Sequence, residues 1–208
     1  RTGMLMPYIL GDVTLVGGYL TMSAMNKSLV ATGALSPGSS ARRLQETLSW
    51  WLDVTADGGL DRFAPGFKST LKVRVMHAIV RQRLSKDPKW RFEEWGAPLS
   101  QAHLATTNQA FAAAYITLAR AFGIRYSRDE REAMMHLFRY AGSLMGVDDA
   151  HACSTEREGF RLIWLSTETS PPPDEDAARL AEGYFEAQLD FANAMPDSPA
   201  LKRLGELA

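Results

Sequence analysis

Apolar positions recur three and four residues apart through most of this chain, and turn-rich breaks separate the stretches. The first stretch, Met4 to Met25, is almost wholly apolar with Asp12 as its only charge, and Pro7, Gly11, Gly17 and Gly18 interrupt it. Its length would allow a membrane span, but the interruptions equally suit close helix packing. After the break at Thr32 to Ser40, Ser39 or Ser40 is placed to cap a helix running to about Ala56. Pro65 opens a long helix to about Lys86, as proline does at a first helical position. An irregular aromatic segment follows, and Ser100 then caps a helix from Gln101 to Phe122 with Gly123 as its stop. The sequences SRDE (Ser127 to Glu130) and TERE (Thr155 to Glu158) are capping boxes, opening helices to about Gly146 and Leu165. Asp174 starts a last helix to about Ala194. No segment alternates as a strand does. The pattern predicts an all-α fold of about seven helices, residues 1–208 forming one domain and a piece of a longer chain.

The helix at Leu71 to Leu84 is apolar around most of its circumference and is expected to be the buried centre of the fold. One histidine interrupts it. At about 100° per residue, His77 shares a side with Thr70, Val73, Arg74 and Arg81, while Leu71, Val75, Met76 and Ile79 cover the rest. Two buried arginines cost several kcal/mol each unless something anionic meets them, on the order expected for unpaired buried charge. Acidic side chains from a neighbouring helix would meet that need and leave His77 a satisfied core residue. A bound haem would meet it too: its iron takes a neutral imidazole, its propionates take arginines, and its macrocycle needs an apolar slot between helices.

The preceding helix adds candidate chemistry. In RRLQETLSWW (Arg42 to Trp51), Arg43, Glu46, Thr47 and Trp50 fall on one face beside an apolar face of Leu44, Leu48 and Trp51. Arg43 and Glu46 could form a plain surface ion pair. The same triplet of donor, carboxylate and hydroxyl beside tryptophans is also what an oxygen-activating pocket uses.

Composition narrows the classes. The net charge of −1 gives no basic field for nucleic acid. The single cysteine, Cys153, excludes an internal disulfide and a cysteine-ligated metal centre, and makes a reducing, cytoplasmic setting the natural expectation. His136 lies four residues after Glu132, but no second carboxylate–histidine helix repeats the pattern of a di-iron bundle. The paired aspartates of VDDAH (Val147 to His151) sit past a helix end and read as a solvated loop.

The ordered motifs together resemble the rubber oxygenases (latex-clearing proteins) and the related MpaB-type oxygenases. They are Arg43 with Thr47, then Arg74, His77, Ala78 and Arg81 about thirty residues on, then Pro98, Gln101, Thr107 and Phe111, and finally the helix from His136 to Val147. The resemblance implies a haem b oxygenase domain with a globin-like helical core. It implies His77 as the proximal iron ligand, Arg43, Glu46 and Thr47 on the distal side, and Arg74, Arg81 and Trp50 around the cofactor. O2 and a small apolar, unsaturated, isoprenoid-like substrate would be its partners, with an electron donor possible. Where latex-clearing proteins carry a lysine that can approach the iron, this chain has Glu46, and Gln82 stands where some carry a second histidine. The cofactor therefore transfers more directly than the substrate. Loss of that lysine suits a non-catalytic helical protein that binds haem or an apolar ligand; retention of Arg43, Thr47, Arg74 and His77 suits the enzyme.

Overall fold

The computed structural model describes residues 13–33 and 39–193, and all regular structure among them is helical. In chain order the α-helices are α1 (Val16–Thr21), α2 (Ser23–Ala31), α3 (Ser39–Thr55), α4 (Pro65–Leu84) and α5 (Phe92–Trp95). They continue with α6 (Gln101–Gln109), α7 (Tyr115–Ala121), α8 (Arg128–Met145), α9 (Glu156–Thr169) and α10 (Glu175–Asn193). Local signals set most boundaries. Pro65 occupies the first turn of α4. Ser127 and Thr155 each complete the reciprocal box with Glu130 and Glu158. Gly146 ends α8 in the left-handed conformation (φ 100°), and Gly123 adopts φ 81° after α7. Of the N-terminal apolar stretch, residues 4–12 lie outside the described residues, and the remainder forms α1 and α2, parted at Met22. No helix among the described residues is long and apolar enough to cross a membrane.

One long helix expected from Gln101 to Phe122 is divided. Between α6 and α7 the segment Ala110–Ala114 winds as a π-helix. This segment and α7 are the centre of the fold. Ala112, Ala113, Tyr115 and Ala119 are fully buried, with Phe111 and Ile116 nearly so. Around them pack Trp50, Trp51 and Val54 of α3 and Met135, Phe138 and Ala141 of α8. Trp50 meets Phe111 edge-on at 5.3 Å and Phe138 at 6.3 Å between ring centroids, geometries worth about 0.5–1.5 kcal/mol each beyond their burial. Small residues admit the other helices closely. A Cβ on Gly159 of α9 would lie 2.6 Å from Gln109 Oε1 and 2.7 Å from Ala113 Cβ.

The helix expected at the centre is instead a surface helix, and its orientation is the reverse of what its composition suggests. α4 buries Gly66, Thr70 and Leu84 and half-buries Val73, His77 and Arg81, while Val75, Met76 and Ile79 are 57%, 57% and 54% exposed. Polar anchors fix this rotation. Trp50 Nε1 donates to Thr70 Oγ1 at 2.9 Å, and Thr70 donates to the Gly66 carbonyl at 2.7 Å. The corner before α4 is equally tight. A Cβ on Gly66 would stand 2.6 Å from the Asp53 carbonyl oxygen and 2.7 Å from that of Gly59.

Candidate functional site

His77 projects from the inward side of α4, half-buried, with a buried Nδ1 that has no hydrogen-bond partner among the described residues. An imidazole nitrogen in that position is costly unless something unseen engages it. Burial first, then the charges of Arg81 and Arg43, push the imidazole down to about pKa 4. His77 is therefore neutral at physiological pH and offers a lone pair. That is the protonation state a metal ligand needs.

Arg43 approaches His77 from α3, close enough for its charge to act on the imidazole. It also acts on Tyr19 of α1, whose phenol burial pushes upward against the arginine's opposing effect. Arg43 makes no hydrogen bond or ion pair among the described residues. It is a cation facing a neutral histidine, with Thr47 half-buried one turn further along α3. Sequence reasoning did not single out Tyr19, because a contact between α1 and α3 leaves no spacing to read.

The expected pairing of Arg43 with Glu46 is corrected. Glu46 bonds Arg42 instead, at 2.8 Å, and its side chain is 61% exposed. Trp50, expected against the cofactor, is packed into the aromatic core and reaches α4 through Thr70.

The two arginines flanking His77 pair with no acidic side chain among the described residues, and Arg74 is exposed rather than buried. Arg74 donates to the carbonyl of Leu144 at 3.3 Å, at the C-terminal end of α8, where the helix dipole concentrates negative charge. Arg81 donates from Nε (3.3 Å) and Nη2 (2.8 Å) to the single carbonyl of Leu99. Gln101 completes the junction, donating to the Gly146 carbonyl at 3.0 Å and accepting from the Asp148 amide at 2.9 Å. Together these bonds lock the His77 helix to the start of α6 and the end of α8. Backbone carbonyls, one at the C-terminal end of α8 and one in the turn before α6, carry the partial negative charge that meets these arginines, and residue identity does not reveal them.

The remaining candidates scatter. His136 is exposed and, with Arg139, Tyr140, Ser143 and Asp149, lines an open cavity of about 210 Å3. Glu132 pairs with Arg128. His103, pushed down by burial, lines a second cavity of about 110 Å3 with Met25, Thr106 and Ser166. Cys153 is buried, and burial together with Glu158 pushes its thiol up, away from reactivity. Asp148 accepts from the Ala150 amide as a turn cap. Among the described residues no group of three or more His, Cys, Asp or Glu could hold a metal ion.

Over 118 residues, 54% of its length, the chain is 28% identical to a protein named rubber oxygenase from Streptomyces sp. (strain K30). It spans only 28% of that relative's length. No solved structure matches, so the globin-like core stays an expectation. Residues 1–207 match the family described as "ER-bound oxygenase mpaB/B'/Rubber oxygenase, catalytic domain". With a model match running almost end to end, this chain belongs to the MpaB/rubber oxygenase catalytic-domain family.

Proposed function

We propose that the protein is a haem b-dependent oxygenase that uses O2 on a small, apolar, unsaturated, isoprenoid-like substrate, with His77 as the residue that would hold the haem iron. The observation that carries this is the buried, partnerless Nδ1 of a neutral His77. The imidazole and the free Arg43 fit the donor set of a haem site, the one supplying a ligand and the other a counter-charge. When bound, the haem supplies O2 binding and redox chemistry.

The chain's own residues have separable tasks. His77 would hold the iron, and it stays unprotonated because burial and two nearby arginines disfavour the imidazolium. Arg74 and Arg81 act through backbone carbonyls to hold the His77 helix, rather than through propionates. Arg43 would offer a positive charge to an anionic group of the cofactor, and the Thr47 hydroxyl, one turn further along α3, would offer a hydrogen-bond donor beside it. Trp50 holds α3 against α4 through Thr70 and so fixes the spacing between the two sides. Glu46 accepts an allylic proton from the substrate, a role that requires release from Arg42 and withdrawal from water.

A second function is favoured by one observation, the solvent-facing, ion-paired state of Glu46. A protein of this kind would bind haem or an apolar ligand without turnover. Haem titration of the wild type and of His77→Ala tests the first proposal. A saturable Soret band at one equivalent, lost in the variant, is expected; equal haem binding by both would refute it. Oxygen uptake by the reduced, loaded protein with polyisoprenoid or unsaturated lipid separates enzyme from carrier.

A further inference from the structure

The reversed orientation of α4 leaves an apolar ridge in solvent. Phe63, Phe67, Leu71, Val75 and Ile79 follow one another four residues apart, Phe67 and Leu71 half-buried and the others exposed, and exposed Met76 adjoins them. Phe63 lies ahead of the helix, but its ring meets that of Phe67 at 6.3 Å, so it continues the line. Phe63 is 61% exposed and holds a left-handed φ of 72°, a conformation that costs a non-glycine residue energy. From Phe63 to Ile79 the ridge runs about 24 Å at 1.5 Å per residue. Apolar surface this continuous is uncommon on a protein that leaves it in water.

Basic charge lies along one side of the ridge. Lys68, Lys72 and Arg83 occupy the adjoining strip, are exposed, and make no ion pair among the described residues. Arg62 lies over the Phe63 ring at 4.8 Å. The stretch from Arg42 to Arg91 carries eleven Lys or Arg against five Asp or Glu, a local +6 in a chain whose total is −1.

We infer that this face of α4 seats the protein on an anionic lipid surface. An apolar ridge enters the acyl boundary, while flanking lysine stems lie along it and place their ammonium groups among anionic headgroups. The aromatic end at Phe63 suits the interface. A protein helix could also pack on such a ridge, but the unpaired basic strip selects an anionic partner, and a bilayer supplies both phases at once. The haem assignment does not bear on this face, because the ridge and its flanking Arg62, Lys68, Lys72 and Arg83 are separate from His77, Arg43, Arg74 and Arg81.

Flotation of the full chain with vesicles tests it. Phosphatidylcholine vesicles with about a third phosphatidylserine are expected to carry the protein at low salt and release it as salt rises. Pure phosphatidylcholine vesicles are expected to carry little. The exposed-site variants V75D/I79D and K68E/K72E should keep the wild-type circular dichroism and float about tenfold less or weaker still. Equal flotation with neutral vesicles, no flotation, or flotation unchanged by both variants overturns the proposal. So does displacement by inorganic phosphate, which would mark a simple anion site. A wild-type dimer that V75D/I79D converts to monomer would give the face to a second copy instead.

Discussion

Arg81 gives two N–H groups to one oxygen, the carbonyl of Leu99, and Leu99 is held at a left-handed φ of 49°. The clasp joins the turn after His77 to the residue before Ser100, which caps α6 by accepting from the His103 amide. Arg81→Ala is expected to lower stability by about 1–3 kcal/mol, the cost of a lost charge-assisted bond with a carbonyl left over. The double variant with Leu99→Gly should recover part of that loss, because glycine relieves the strained φ. Urea midpoints of the four proteins measure it, and additive losses would show that the two residues do not act as a pair.

The depressed pKa of His77 makes stability depend on acid. The unfolded imidazole takes a proton near pH 6.5, while the folded one does not until about pH 4. The unfolded state thus binds more protons between those values, so stability is whole above the upper value and falls as pH drops towards the lower. Burial of His103 acts in the same direction. Calorimetry of the haem-free protein at pH 7 and pH 4.5 should show His77→Gln losing less than wild type, by about 2 kcal/mol.

Trp50 combines two supports that substitution can separate. Trp50→Phe retains an aromatic ring but loses the indole donor to Thr70, and is expected to cost about 1–2 kcal/mol. Trp50→Ala also empties part of the contact with Phe111 and Phe138 and should cost about 3–5 kcal/mol. Haem titration alongside denaturation would show whether affinity falls with each step.

Glu46→Gln is expected to change stability by less than about 0.5 kcal/mol, since its exposed pair with Arg42 contributes little. Haem content should be unchanged. A tenfold or greater fall in turnover would support the proton-accepting role, on the scale of general base catalysis. Unchanged turnover would remove Glu46 from the mechanism.

Gly66→Ala is expected to be severely destabilising, by about 3 kcal/mol or more, because its Cβ would meet two backbone oxygens that no rotamer change can move. Loss of secondary structure on heating, followed by circular dichroism, would register it.

What the sequence made legible were the helix ends. Pro65, Ser100, Ser127, Thr155, Gly123 and Gly146 act through neighbours within a few positions, so their effects can be read locally. The rotation of α4 was not legible. Val75, Met76 and Ile79 argued for burial by their chemistry, whereas Thr70 and Arg81 were turned inward by partners at Trp50 and Leu99, far along the chain. His77 was found because a histidine between arginines is unusual on an apolar helix. That Arg74 and Arg81 serve carbonyls was hidden, since every residue has a carbonyl and only folding decides which are left exposed. The π segment was hidden too, because alanines suit either winding.

That segment has a consequence for descent as well as structure. A π turn holds one residue more than an α-helix needs over the same rise, so Ala110–Ala114 amounts to a single-residue insertion absorbed without breaking the rod. Upstream of it, Gln109, Asn108 and Thr106 are buried; downstream, Tyr115, Ile116 and Ala119 are. Deleting one alanine would restore regular winding and leave the two halves in nearly their present relation, because the wider π turn spends its extra residue over the same rotation and rise. Tyr115 and Ile116 would keep their present neighbours, and only side chains within the π turn itself would move. A difference of one residue at this point is therefore compatible with an unchanged interior on either side of it.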